Sequence, residues 1–209
     1  MHPRPLIAAF GLIALNGCAA LSALGGGEPL QGYELRGPAP VQAARALDRH
    51  LTVEVPDSSG ALMTDRVLIR PTGIEASYLP GAQWTNDAPL MVQTLLVRAL
   101  QGSGGFSYVG REPLGLSGDY AVLTELSALE GRITAGAEGE TISGVVEMRV
   151  SVVRESDARV MGTKTIRQTR PAASDAAADV TAALDLAMQN AVAEATRFVL
   201  ATAGPGVSG

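Results

Sequence analysis

Thr141-Ile142-Ser143-Gly144-Val145-Val146-Glu147-Met148-Arg149-Val150-Ser151-Val152-Val153-Arg154 is the stretch that decides the fold. Val146, Met148, Val150 and Val152 recur at every second position, and Glu147, Arg149 and Ser151 stand between them. A period of two sends alternate side chains to opposite faces of a strand. One face is then apolar and the other polar, the signature of a sheet covered on one side only. Working outward, Tyr120 to about Ile133 predicts a second long strand before it, with Ala135–Glu140 as the connecting loop. Ala158 to Arg170 predicts a third, joined to its predecessor through Ser156-Asp157.

Shorter strands are predicted upstream, each stopped by turn chemistry. Tyr33–Arg36 ends at Gly37-Pro38, Leu51–Val55 at Pro56, Arg66–Arg70 at Pro71, and Ile74–Tyr78 at Leu79-Pro80-Gly81. Phe106–Val109 adds one more. Asp57-Ser58-Ser59-Gly60 and Pro71-Thr72-Gly73 read as turns, the second short enough to make a hairpin of its flanking strands. Asp87 to Gln101 predicts a helix, with Asn86 or Asp87 to cap it, Pro89 in its first turn and Gly102 to end it. Ala88, Met91, Val92, Leu95, Leu96 and Ala99 make its apolar face. A second helix runs from Ser174 to about Ala201, with Val180, Leu184, Met188, Ala191, Ala195 and Phe198 in one stripe. Two helices with one apolar stripe each must lie on one face of a mixed, mostly antiparallel sheet. The fold class is α+β, a two-layer domain.

The first residues follow another logic. His2 and Arg4 precede the uncharged run Leu6–Leu15, and Asn16-Gly17-Cys18 closes it. A basic start, a short apolar run and a small residue before the cut are the parts of an export signal. The run falls short of the ~20 residues that a spanning helix needs. Leu15-Asn16-Gly17-Cys18 resembles the lipobox of bacterial lipoproteins, with Asn16 the departure from its usual pattern. Cys18 is the one cysteine of the chain, and an exported chain rarely keeps an unpaired thiol. We therefore expect residues 1–17 to be a signal peptide and Cys18 to be the lipidation site. Residues 18–32, with Gly25-Gly26-Gly27, are expected to be a flexible tether. The body spans 33–203 and a tail 204–209. With Cys18 acylated no disulfide can form, so packing alone holds the fold.

Composition narrows the function. The formal net charge is −5, and loss of Arg4 with the signal makes it one unit more negative. No basic block is present, which argues against nucleic acid and against polybasic adhesion to anionic lipid. Catalytic, cofactor and metal residues are each read as none. His50 is the body's one histidine and reads as surface beside Asp48 and Arg49. Asp119, Glu125 and Glu130 lie on their strand at mixed parity and read as surface too. Gly102-Ser103-Gly104-Gly105 and Gly115-Leu116-Ser117-Gly118 lack the lysine and helix of a phosphate loop and read as turns. Arg66 and Arg70 share parity on a strand whose other face carries Val67 and Ile69. Tyr78 and Trp84 flank Pro80-Gly81. Arg66 and Arg70 should point to solvent, and exposed aromatics with arginine favour docking, so these four are the candidate partner interface; the alternative is that Tyr78 and Trp84 close the edge of the core.

The body resembles the ABC-type transport auxiliary lipoproteins, the PqiC-like family. The resembling stretches are Tyr33-Glu34-Leu35-Arg36, then Leu51, Val53, Val55 and Pro56, then Leu62, Thr64, Asp65, Arg66, Ile69 and Arg70. Tyr78-Leu79-Pro80-Gly81-Ala82 with Trp84 follows. Leu100, Ser103, Gly104 and Phe106, Val109-Gly110-Arg111 and Gly118-Asp119-Tyr120 complete the series; Gly105 departs from it and Ala135–Glu140 carries none of it. Composition and motifs point to a binding or structural role and not to an enzyme, and the resemblance implies a periplasmic partner of an ABC system whose substrate-binding component carries an MCE (mammalian cell entry) domain. Such systems move phospholipids or other hydrophobic molecules between the inner and outer membranes. Ala19, where lipoproteins kept at the inner membrane tend to have Asp, implies the periplasmic face of the outer membrane. The alternative keeps the anchor and makes the body a docking factor or activator in envelope assembly or cell-wall synthesis. Homo-oligomerisation stays open.

Overall fold

The alternating stretch is the inner strand of a three-stranded antiparallel spine in the computed structural model, which describes residues 29–115, 118–136, 139–204 and 206. Nine strands are described: β1 (Gln31–Tyr33), β2 (Leu47–Val53), β3 (Asp57–Ser58), β4 (Arg66–Arg70), β5 (Ser77–Trp84), β6 (Phe106–Gly110), β7 (Tyr120–Gly136), β8 (Gly139–Arg154) and β9 (Arg159–Pro171). Two helices join them, α1 (Ala88–Gly102) and α2 (Ala177–Thr202). All lie in one compact unit that begins at Gln31.

β8 pairs antiparallel with β7 on one side and β9 on the other. The far edge of β7 carries three strands in succession, all parallel to it. β2 meets its first residues, β3 its middle and β4 its end. The sheet thus forks into an arm of β2 and β6 and an arm of β4, β5 and β1. The sheet is mixed, as expected, and its longest ladders are antiparallel.

Val146, Met148, Val150 and Val152 are fully buried, facing the helices as their period requires. In α2, Ala183, Ala187, Ala191 and Ala195 are buried at four-residue spacing, with Val180, Leu184, Met188 and Val199 beside them. Small side chains let the helix lie close to β8. A Cβ added at Gly144 would fall 2.6 Å from the Leu184 amide nitrogen. α1 packs against α2 and over β2 and β6. At the end of α1, Ser103 Oγ donates to the Leu100 carbonyl and Gly104 turns the chain with φ 65°. Each large aliphatic side chain buried between the layers contributes about 1.5–3 kcal/mol.

Several boundaries differ from expectation. β5 runs straight through Pro80-Gly81. Its pairing with β4 shifts register between Arg66 and Leu68, and Gly81 has φ 70°, so the two residues form a bulge inside the strand. Asp57-Ser58, read as a turn, forms β3 against Glu125 and Leu126. β7 and β8 extend to Gly136 and Gly139, which shortens the connecting loop. α2 starts at Ala177 because Ser174 Oγ is engaged with Asp179 and with the Ala176 amide ahead of the helix. Asn86 Oδ1 accepts from the Asp87 amide, and neither side chain caps α1.

Candidate partner-docking site

The face of the sheet away from the helices carries the polar residues, and strand register fixes their order. Along β4, Arg66, Leu68 and Arg70 share this face, while Val67 on the other is fully buried. Tyr78 of β5 stands opposite Leu68. Glu130 of β7 stands opposite Leu68 on the other side, and Arg132 opposite Arg70.

Two of the four interface candidates meet. The Arg66 guanidinium carbon lies 5.3 Å from the centroid of the Tyr78 ring, within cation–π range. Tyr78 is 41 % exposed. Arg66 Nε is buried and has no hydrogen-bond partner. Arg70, expected to point freely into solvent, instead donates from Nε to Glu130 Oε2 at 2.7 Å. Arg132 Nη2 donates to Glu130 Oε1 at 2.5 Å. Trp84 is corrected more sharply: it is 2 % exposed and belongs to the core. It borders a small cleft with Ala178, Thr181 and Asp185 of α2, so it closes the edge of the core beside that helix.

Other side chains also depart from expectation. Glu130, expected at the surface, is 2 % exposed and holds two arginines. Glu125 is exposed and paired with Arg149, while Glu147 pairs with Arg167 across β8 and β9. His50 is half-buried in β2, its ring edge-on to Tyr108 at 5.7 Å. Its backbone N–H donates to Asp119 Oδ2 at 2.8 Å, and Arg49 donates to Oδ1 at 2.9 Å. The His50 N–H holds the Asp119 carboxyl below its ordinary range; partial burial pushes the other way, and Arg49 adds to the lowering. These contacts make Asp119 a brace between β2 and the start of β7.

Sequence reading missed Arg36, Asp185 and Arg132. Asp185 is 5 % exposed on α2 and accepts from the Arg36 amide at 2.7 Å, from Arg36 Nε at 2.8 Å and from Gln189. The contact ties the segment after β1 to the helix. A buried acid inside an apolar stripe was the available signal. For Arg132 the signal was Glu130 two residues earlier, on the same face of one strand.

A groove of about 500 Å³ lies where β7 and β8 meet the approach to α2, lined by Ile133, Ile142 and Pro171 with Glu140, Ser174 and Asp175. Among the described residues no three His, Cys, Asp or Glu converge as a metal set, and no helix is long and apolar enough to cross a membrane. Cys18, the expected signal peptide and the greater part of the expected tether lie outside the described residues.

Residues 33–196 match the family described as the ABC-type transport auxiliary lipoprotein component. No curated protein matches the chain. Among solved structures, the protein XCC0632 from Xanthomonas campestris is 25% identical, with 83% of this chain and 96% of that one aligned at a TM-score of 0.74. An uncharacterized protein at 16% identity aligns over 82% of this chain and 99% of its own, with a TM-score of 0.63. The second likeness shows the fold alone.

Proposed function

The chain belongs to the ABC-type transport auxiliary lipoprotein component family, and from that premise we propose that it docks on an MCE-domain component of an ABC lipid transport system. Cys18 carries the anchor in this reading, residues 18–32 form the tether, and the body works on the periplasmic face of the outer membrane. The family match over residues 33–196, behind Leu15-Asn16-Gly17-Cys18, is the observation that carries it. The polar face supports a docking role. Arg66 and Tyr78 present a cation and an aromatic edge there, the residue types that dominate binding energy at protein interfaces. No catalytic constellation enters the proposal.

Three measurements test it. Stable attachment takes two acyl signals, each buried methylene contributing roughly 0.8 kcal/mol. Cys18→Ser should therefore release the body to the soluble periplasm or leave an uncut precursor. A normally processed Cys18→Ser protein that stayed with the membrane after a high-salt wash would refute the anchor. The lipidated protein in detergent should co-purify with an MCE-domain protein of the same cell, and its loss should impair lipid traffic between the membranes. Loss that left lipid traffic intact but disturbed cell-wall synthesis would favour the docking factor of envelope assembly instead.

A further inference from the structure

Glu130 is buried on the side of the sheet that neither α1 nor α2 covers. A buried ion pair gives little stability over an apolar residue of the same size, so stability does not explain the carboxylate. Its geometry suggests another effect. Glu130 takes one donor from Arg70 and one from Arg132, and so fixes two guanidinium groups side by side at 28% and 36% side-chain exposure. Each guanidinium has five N–H donors. Arg70 and Arg132 each spend one on Glu130, and among the described residues Arg66 makes no side-chain hydrogen bond, its Nε being buried without a partner.

The charge is uneven across the face. Arg149 and Arg167 are matched one to one by Glu125 and Glu147. At the β4 end, Arg70 and Arg132 divide the one carboxylate of Glu130 between them and Arg66 is in no ion pair among the described residues, in a chain whose formal net charge is negative. Arg66 and Arg70 are four residues apart on a strand, roughly 13 Å, with Tyr78 opposite the residue between them. Met63 and Ile74, 66% and 97% exposed, lie in the turns at the two ends of β4.

We infer that this stripe is a prebuilt receptor for a carboxylate-bearing segment of a partner protein, with Arg132 as a contact and Glu130 as the residue that positions it. This rests on the docking reading above. Arginine and tyrosine with an exposed apolar side chain at each end fit a protein interface better than a free anion. Anionic membranes are read by clusters of four to eight Lys or Arg, and the stripe has three cations with an acid among them. Holding the guanidinium groups in place before binding lowers the ordering cost of the complex.

The test uses the lipidated full chain in neutral detergent micelles. Its probes are two labelled peptides, one alternating Glu with Val and one alternating Gln with Val, and phosphatidylglycerol vesicles. The Glu peptide should bind about tenfold or more tightly than the Gln peptide, and less tightly as salt rises. Arg132→Gln, and the pair Arg66→Gln with Arg70→Gln, should abolish that preference with circular dichroism unchanged. Glu130→Gln is the sharpest variant. A charge count says that removing this acid strengthens binding of an acidic peptide, whereas a positioning role says that it weakens it. Equal binding of the two peptides, binding of neither, or a preference for the vesicles overturns the inference, and tighter binding by Glu130→Gln overturns the role of Glu130. If the MCE-domain protein co-purifies equally with wild type and the arginine variants, the receptor is wrong and the docking reading stands. If the Glu peptide binds but no MCE-domain protein co-purifies, the receptor stands and that partner falls.

Discussion

A carboxylate 2 % exposed at position 130 is tolerated because both of its oxygens are hydrogen-bonded. Removing it reverses the balance: Glu130→Ala leaves two arginines facing each other, each partly open to water. Since they can rehydrate, the loss should be about 1–3 kcal/mol, below the cost of stranding a fully buried charge. Urea unfolding measures it, and an unchanged midpoint would show that the pairing contributes nothing to the fold. Ala158 is the reverse case, a residue that gains by losing its side chain. It holds φ 53° in the turn between β8 and β9, where a Cβ is strained by roughly 1 kcal/mol. Ala158→Gly should raise the melting temperature slightly, and a lower one would mean that chain entropy outweighs the strain. The burial of Glu130 was not legible in sequence, for a definite reason. β7 has a bulge between Leu126 and Ala128, so side chains of even number face the helices before it and those of odd number after it. Glu125 and Glu130 differ in parity and yet share the polar face. Arg66 and Arg70 lie on an unbroken strand, and their side of the sheet followed directly from Val67 and Ile69. Trp84 was misread because the bulge at Pro80-Gly81 looked like the end of a strand.

Between elements, α2 comes close to β8 at Gly144. A methyl there would meet the backbone of Leu184 and Ala183, at 2.6 and 2.8 Å, and backbone cannot swing aside as a side chain does. Gly144→Ala should cost about 1–3 kcal/mol or more by lifting the helix. Gly37→Ala, with nothing within 4 Å of the new atom, is the control and should leave the melting temperature nearly unchanged. The outer edge of the same helix is held by charge. Lys164 of β9 donates to Glu194 of α2 and holds its carboxyl below the ordinary glutamate range; burial opposes this, and Gln168 adds to the lowering. A carboxyl whose value falls on folding stabilises the fold above its unfolded value, and that contribution is lost as pH drops through the folded one. Wild type should therefore lose stability more steeply than Glu194→Gln as pH falls below the ordinary value of 4.5. Parallel slopes would show that the pair is idle. The elements themselves were largely legible, because the spine and helices are long and strictly periodic. The fork was not: β2, β3 and β4 pair with β7 in parallel across long connections, and two-residue β3 has no period to detect.

Taken whole, the molecule has two sheet faces with different duties, and that division bears on whether it carries lipid. One face is filled: α1 and α2 cover it, and their stripes interdigitate with Val146, Met148, Val150 and Ile166 at essentially no exposure. The other is laced with arginine–glutamate pairs from β4 to β9, and an acyl chain laid there would desolvate them without replacing their partners. The groove of about 500 Å³ beside the start of α2 falls within the usual range for a small-molecule site. Its rim, however, carries Glu140 and Asp175, acidic groups that repel a phosphate headgroup. On the docking reading proposed above, the body itself holds no lipid. Purified Cys18→Ser protein, stripped of lipid, incubated with phospholipid vesicles and passed through gel filtration, should emerge without stoichiometric phospholipid. Headgroup charge separates a specific result from a spurious one. If traces adhere to the groove, they should favour zwitterionic over anionic lipid and rise when Glu140→Gln and Asp175→Asn remove its acids. One phospholipid per protein surviving the column, indifferent to those substitutions, would mean that the two layers open to admit an acyl chain, and the body would be a carrier in its own right.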